Sequence, residues 1–406
     1  MHSLFRRAKA PAPAASPPAP MPMLSFPGKK ALRFAGDTSA AERDAELAVL
    51  MHARAHVVLA SESARASAAE AAAALRAYLR IIYASEMTAG PSQQKLLFAW
   101  RDAAAGDETD KKKAKASPAA AQGQWHTSLV TERAVALFAL GAELARAGAA
   151  EDRRGADGIR RACGALCDAA GALRAAAAAG ARAHDAAGDQ MCHMTDACLA
   201  AFERLMLAQA LECYFELAVA GGKPPALCSK IALQVSHGYH EVCVKLGLLQ
   251  QPIDNSWAPH AQAKAAYFDA KANLQRARAL REQGPGSVGE AVARLRLAAS
   301  VLDGATGKTG PLGKKSLSSS SASAAAALAP LRDAAARLRK EVEAELAAAE
   351  NDNCQVYFER VPAADALKAL PALAEPLVRP TAVEKVLREA DGEPALANGG
   401  APTNRH

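Results

Sequence analysis

His237 and His240 stand in the stretch HGYHE. Two imidazoles beside a carboxylate are the raw material of a metal site. Zinc hydrolases place them as His-Glu-x-x-His, or as His-x-x-Glu-His when inverted. Here the order is His-x-x-His-Glu, which fits neither and predicts histidines facing solvent. Cys163 and Cys167 share a helix face at i, i+4 and make half a metal site at most; small core residues account for them better. MCHMTDAC (191–198) gathers Cys192, His193 and Cys198 at irregular spacing. GATGKTG (304–310) contains Gly-Lys-Thr, but a phosphate loop needs a Gly with four residues between it and the Gly-Lys, after a buried strand. Position 302 is Leu, and a helical pattern precedes it. No GxSxG occurs. No metal, cofactor or catalytic set is expected, and the chain does not read as an enzyme.

The elements that carry these residues are helical. Half of the 406 residues are apolar but only 4% are aromatic, and alanine supplies most of the apolar count. Alanine is the best helix former and the smallest core side chain, so closely packed helices are expected. The net charge of +7 is concentrated at the N-terminus: Arg6, Arg7, Lys9, Lys29, Lys30 and Arg33 precede the first acid, Asp37. The remainder is nearly neutral, whereas a nucleic-acid protein shows a basic face on its fold, so no nucleic-acid partner is expected. Residues 1–24 read as a disordered basic Pro/Ala tail. A transit peptide and a weak lure for anionic lipid, at about 1 kcal/mol per basic residue, are its alternatives. The eight cysteines form no paired CxxC units and are expected reduced. No uncharged apolar run of membrane-spanning length and no secretory core are seen.

Helical period runs from about Asp37 to Met87, and again from Ser128 to about Leu246 with breaks at 148–158, 180–190 and 220–226. In AGGKPPA, Gly221 or Gly222 suits a left-handed helix end, and Pro224 or Pro225 the first turn of the next helix. Residues 263–305 read as a tetratricopeptide-like hairpin closed by GPGS. Low-complexity loops are expected near 106–124 and 306–327. Leu331, Leu338, Val342 and Leu346 mark one face of a last long helix. NDNCQVYFERVP (351–362) then breaks the pattern with a short aromatic, β-prone run.

Five segments resemble, in order, the Bro domain family over about residues 25–375. They are FAWRD (98–102), TERAVALF (131–138), LMLAQALECYFELA (205–218), the Trp257/Lys264/Tyr267/Phe268 hairpin, and the NDNCQVYFERVP ending. The length is similar to that of the short BROX-like members. The resemblance implies an all-α, curved, boomerang-like helical solenoid with a tetratricopeptide-like hairpin and a minor β or extended element. Residues 376–406 become a flexible C-terminal tail. After its last long helix the chain would run back along the solenoid, burying Tyr357 and Phe358 in a groove.

The same resemblance implies a non-enzymatic scaffold of the endosomal sorting (ESCRT) machinery. It would be cytoplasmic, transiently at endosomal membranes, and monomeric. Its partner would be the C-terminal amphipathic helix of an ESCRT-III subunit of the Snf-seven or charged multivesicular body protein four type. Carried over by position, the binding patch is Tyr214, Leu217, Leu227 and Ile231. On the helical wheel Lys230, Gln234, His237, Glu241 and Lys245 form a polar arc, with Leu227 about 50° and Ile231 about 90° from its centre. Both are therefore expected at the edge of a solvated surface. Tyr214 lies opposite the Gln209, Glu212 and Glu216 stripe, so periodicity alone makes it core. The end, TNRH, lacks a prenylation box, so no prenyl anchor is expected, and membrane contact would fall to the basic tail. A generic helical adaptor with another partner is the alternative.

Overall fold

Helix starts and stops follow local chemistry. In the computed structural model, which describes residues 19–34, 44–63, 67–88, 96–103, 124–183, 193–250, 253–307, 310–313 and 322–388, β1 (Lys29–Ala31) precedes α1 (Ala45–Glu62). The Asp44 carboxylate accepts from the Glu46 and Leu47 amides and caps α1. Then come α2 (Ala68–Thr88), β2 (Phe98–Asp102), β3 (Gln124–His126) and α3 (Leu129–Ala150), whose cap is Ser128. Next are α4 (Ala156–Ala183), α5 (Asp196–Ala220), α6 (Pro225–Gly247), α7 (Trp257–Gln283), α8 (Val288–Thr306) and α9 (Ala322–Asp352). Gly222, at φ 64°, makes the left-handed turn after α5, and Pro225 is the first residue of α6. The GPGS turn places Gly284 and Gly286 at positive φ. The expected loops overlap residues 104–123, 308–309 and 314–321, outside the described residues, as are 1–18 and 389–406.

Each helix packs on the next, and the stack is an all-α solenoid. Alanine makes the close spacing possible. Ala162, Ala169, Ala170, Ala172 and Ala176 of α4 are all buried. By length and composition Ala156–Gly180 would also pass for a membrane span, but more than half of that window is buried inside the fold. α9 packs on α7 and α8 through Leu331, Leu338 and Val342. An ion-pair ladder flanks that seam, with Lys271–Glu341 at 2.9 Å, Arg278–Glu341 at 2.7 Å and Arg296–Glu350 at 2.6 Å.

The three strands form a small antiparallel sheet, β1-β2-β3. It joins two of the sequence motifs. Glu132, in TERAVALF, is completely buried and pairs with buried Arg54 of α1. Tyr78 Oη donates to its Oε1 at 2.7 Å, and the Trp100 indole of FAWRD donates to its Oε2 at 2.8 Å. Arg54 also donates to the Ala99 carbonyl at 2.6 Å and lies against the rings of Phe34, Phe98 and Trp100. Burial pushes the Glu132 carboxyl up, but Arg54, His126 and Trp100 outweigh it and hold the group below the usual carboxylate range.

After α9 the chain does not form a strand. Asn353–Tyr357 is a π-helical turn, ended by Phe358 in the left-handed region at φ 53°. Phe358 is 76% exposed and Val356 is exposed as well, so the expected burial of Phe358 is corrected. A π turn widens the helix and swings these side chains outward. Asn353 fixes the exit: its Nδ2 donates to the Glu359 carbonyl at 2.9 Å, and its Oδ1 accepts from the Glu359 amide at 3.0 Å.

The return along the solenoid is observed. This strap, residues 359–388, contains a 3-10 turn at Ala364–Ala366 and α10 (Val383–Val386). Glu359 accepts from the Gly286 and Gly289 amides before α8 and in its first turn. The strap then meets Arg294 of α8, Gln234 of α6, the Cys167 carbonyl of α4, and Arg76 and Arg80 of α2. Two glycines let it sit on the helices: a Cβ at Gly289 would lie 2.4 Å from the Arg360 carbonyl oxygen, and one at Gly171 2.0 Å from that of Thr381. Val386 and Leu387 are buried, so packed structure extends to Arg388, past the expected boundary at 375.

Removing one partner of a buried ion pair strands the other. Glu132→Ala should therefore cost about 3–5 kcal/mol, measurable by urea denaturation.

Candidate partner-binding face

α5 carries the most distinctive motif, LMLAQALECYFELA, and its polar residues turn inward. Gln209 clasps an N-terminal extended segment: its Oε1 accepts from the Leu24 amide at 2.6 Å and its Nε2 donates to the Leu24 carbonyl at 2.9 Å. One turn on, buried Glu212 accepts from Lys264 Nζ of α7 at 2.8 Å and from Tyr239 Oη of α6 at 2.5 Å. Arg153 bonds Glu216 at 2.6 Å and also donates to the Met21 carbonyl. Met21, Met23 and Leu24 pack on the core, so packed structure begins before residue 25.

Burial shapes the ionisation of this cluster. It lowers the Lys264 ammonium, against which Glu212 acts. It lowers His260 strongly, helped by the Lys264 charge. Burial, with the Glu212 carboxylate next, raises Glu216 to about 7.

The opposite side of α5 carries the strap. Leu207 and Leu211 of α5 and Leu233 of α6 line a cleft with Leu373 and Val378 of the strap. Gln234 holds the strap there: its Nε2 donates to the Glu375 carbonyl at 3.1 Å, and its Oε1 accepts from the Leu377 amide at 3.3 Å. The cleft is also lined by Arg204, Lys230, His237 and Glu241. The arc read as solvated is thus partly a seat for the strap.

Beyond the strap, toward the Gly222 turn, the α5–α6 hairpin ends in an apolar corner. Leu227 is 36% exposed, and Tyr214 and Leu217 are half-buried. Ile231 does not join them. It is 1% exposed, in the main core, and the expected exposure is corrected. The reason is that α6 has two neighbours. Ser229 and Ser236 donate to the Ala272 and Ala265 carbonyls of α7, fixing one flank. A Cβ at Gly238 would lie 3.3 Å from Ala208 Cβ, so the other flank meets α5. Ile231 is on the α5 flank with Gly238. His237 and His240 are exposed, as expected, and Cys163 is buried with its thiol on the Ala210 carbonyl. Among the described residues no group of three or more His, Cys, Asp or Glu could hold a metal ion. Cys192 lies outside the described residues.

Sequence reasoning treated Gln209, Glu212 and Lys264 as marks of kinship, or as a polar stripe, and missed their role as buried pins. A signal was present, since a Gln and a Glu inside a nearly all-apolar helix must find partners. Gln234 gave no such signal, because it sits in a polar arc.

A solenoid crossed end to end by a returning strap is a recognisable protein class. The BRO1-like domain family matches residues 30–398, and this chain belongs to that family. The vacuolar-sorting protein BRO1 of Arabidopsis thaliana is 34% identical over 192 residues, covering 47% of this chain and 20% of that protein. A pH-response regulator protein, palA/RIM20 of Pyricularia oryzae, is 29% identical over 219 residues, 52% of this chain and 24% of that protein. The chain thus matches only about a fifth of the length of these curated relatives. Among solved structures, the ALIX BRO1 CHMP4C complex aligns at TM-score 0.70 and 20% identity, covering 91% of this chain and 97% of that one. A Bro1 domain solved for its role in endosomal targeting aligns at TM-score 0.66 and 12% identity, covering 90% and 94%.

Two outcomes follow. Leu227→Asp should change stability by less than about 1 kcal/mol, whereas Ile231→Asp buries an unpaired charge and should cost several; thermal melts followed by circular dichroism will separate them. Glu216 has a folded pKa of about 7 against an ordinary 4.5. Its contribution is therefore fully favourable below the lower value and is lost as pH rises through the higher one. The melting temperature of Glu216→Gln, relative to the parent, should rise between about pH 5 and pH 8.

Proposed function

We propose that this chain is a non-enzymatic, ESCRT-associated scaffold. Its apolar corner takes the C-terminal amphipathic helix of an ESCRT-III subunit of the Snf-seven or charged multivesicular body protein four type, in endosomal sorting or membrane remodelling. The observation that carries the reading is Leu227, exposed beside half-buried Tyr214 and Leu217 at the end of the α5–α6 hairpin. An aliphatic side chain at such an edge suits helix-in-groove recognition. A vacuolar-sorting relative and the fold's likeness to the ALIX BRO1 domain in its complex with CHMP4C support the same direction. Ile231 acts from beneath, as packing that holds the corner in place.

The scaffold works in the cytoplasm as a monomer and reaches endosomal membranes transiently, through its partner and through its basic N-terminal tail. Full burial of one apolar side chain contributes about 1.5–3 kcal/mol. Leu227, Tyr214 and Leu217 start partly covered, so they supply less than three full anchors. A micromolar complex needs about 8 kcal/mol. Weak to moderate affinity is expected, as suits an assembly that must come apart.

Titration with a labelled C-terminal peptide of such a subunit should show saturable binding that Leu227→Asp abolishes without unfolding the protein. Equal binding by parent and Leu227→Asp would move the site elsewhere. Absence of binding to the parent would favour a helical adaptor for a different partner.

A further inference from the structure

Arg54 fixes which side of α1 faces out. Its guanidinium is buried against Glu132 and lies over the rings of Phe98 and Trp100. In the stretch HARAH (52–56), His52 and His56 stand two residues either side of it. On a helical wheel each is about 160° away from Arg54. The buried pin therefore turns both imidazoles outward, and both histidines are exposed. Spaced i, i+4, they share one face of the helix.

The two rings meet at their tips. The Nε2 atoms are 3.1 Å apart, and the ring centroids are 4.7 Å apart at an interplanar angle of 79°. Among the described residues each imidazole has only the other as a polar partner. One Nε2 carries a hydrogen and donates it to the other. An ion held by two imidazoles sits about 2.0–2.1 Å from each nitrogen. Those nitrogens are then about 2.9 Å apart when the angle at the ion is a right angle, and about 3.3 Å apart at the tetrahedral angle. The observed separation lies between the two, so small side-chain rotations close the pair on an ion.

The surroundings select the kind of ion. Between Leu47 and Ser61 the only charged residue of α1 is Arg54, and it is buried on the far side. The stripe that bears the histidines otherwise shows exposed Val49 and Leu59. No cation on this face of α1 repels a second one. No carboxylate stands there either, and magnesium and calcium require oxygen ligands. Imidazole suits zinc, copper and nickel. Two histidines four apart on one helix face are also how zinc hydrolases hold two of their ligands. Here no third protein ligand joins them among the described residues. Water takes the remaining positions, and the ion can exchange with solution.

We propose that His52 and His56 form a surface site for a divalent ion of the late first-row transition metals, each ligating through Nε2. As the ion enters, the hydrogen shared between the rings leaves its Nε2 and the same ring takes one up on Nδ1, so both Nε2 lone pairs face the ion and no net proton is lost. The bound ion clamps one turn of α1. The site is separate from the apolar corner and does not rest on the proposed function.

The test titrates Zn²⁺ by calorimetry into the full chain, kept under reductant, and into His52→Ala, His56→Ala and the control His237→Ala. Melting is followed by circular dichroism and the histidine ring signals by NMR. The parent should bind Zn²⁺, shift the His52 and His56 ring signals and melt at a higher temperature, because the ion favours the folded helix. His52→Ala and His56→Ala change exposed positions to the best helix former and should stay folded. Each should weaken binding at least about tenfold, while His237→Ala stays within about twofold. Mg²⁺ should not bind. Unmoved His52 and His56 signals at saturation, binding within about twofold of the parent in both alanine variants, or no binding by the parent would each overturn the inference.

Discussion

Everything in this fold leans on α5, and α5 leans on one buried charge. Glu212 has no access to water, and its charge is tolerable there because Oε2 takes two hydrogen bonds while Oε1 faces the Arg153 guanidinium at 3.7 Å. Lys264 comes from α7 and Tyr239 from α6, so one side chain sets the spacing of three helices. Arg153 completes the group and reaches back to the N-terminal segment. The arrangement at Glu132 repeats the logic at the other end, where α1, α2, α3 and the small sheet converge on a single carboxylate. Alanine-rich helices pack closely but with little shape to specify register. Buried ionic groups supply that specification.

The extended segments are governed by a second device. Gln209, Gln234 and Asn353 each use the amide oxygen to accept from a backbone N–H and the amide nitrogen to donate to a nearby backbone C=O. An amide side chain carries an acceptor oxygen and a donor nitrogen side by side, as a peptide group does, so it can do both at once. In effect each imitates a strand partner for chain that has no sheet to join. Two of the three act on α5 and α6, on opposite sides of α5. The hairpin that bears the apolar corner is therefore gripped between an N-terminal segment and the return strap. A rigid hairpin presents its exposed residues without an ordering cost on its own side.

Much of this was legible in the sequence. Gly222 and Pro225 mark the α5–α6 turn, GPGS marks the α7–α8 hairpin, and the apolar row from Leu331 to Val342 marks the seam of α9. These signals are local: a left-handed φ, a missing amide hydrogen, a 3.6-residue period. The five ordered motifs were also legible, and each turned out to carry a buried pin: Trp100, Glu132, Glu212, Lys264 and Asn353. The candidate site was half legible. Leu227 was read at an exposed edge and is exposed there, whereas periodicity made Tyr214 core and it is half-buried.

What only the tertiary structure decided concerns neighbours. A helical wheel yields one polar direction. It cannot say that α6 is flanked by α5 on one side and α7 on the other, with the strap across part of its polar arc. That is why Ile231 is core while Leu227, four residues earlier on a similar bearing, is not. Phe358 shows the same limit from the other side. Its aromatic ring predicts burial, but a π turn and the Asn353 clasp fix the backbone first and leave the ring outside. The sequence alone determined the helices, their order and their family. Which faces remained for a partner depended on contacts between residues far apart in the chain, and no local pattern carries that information.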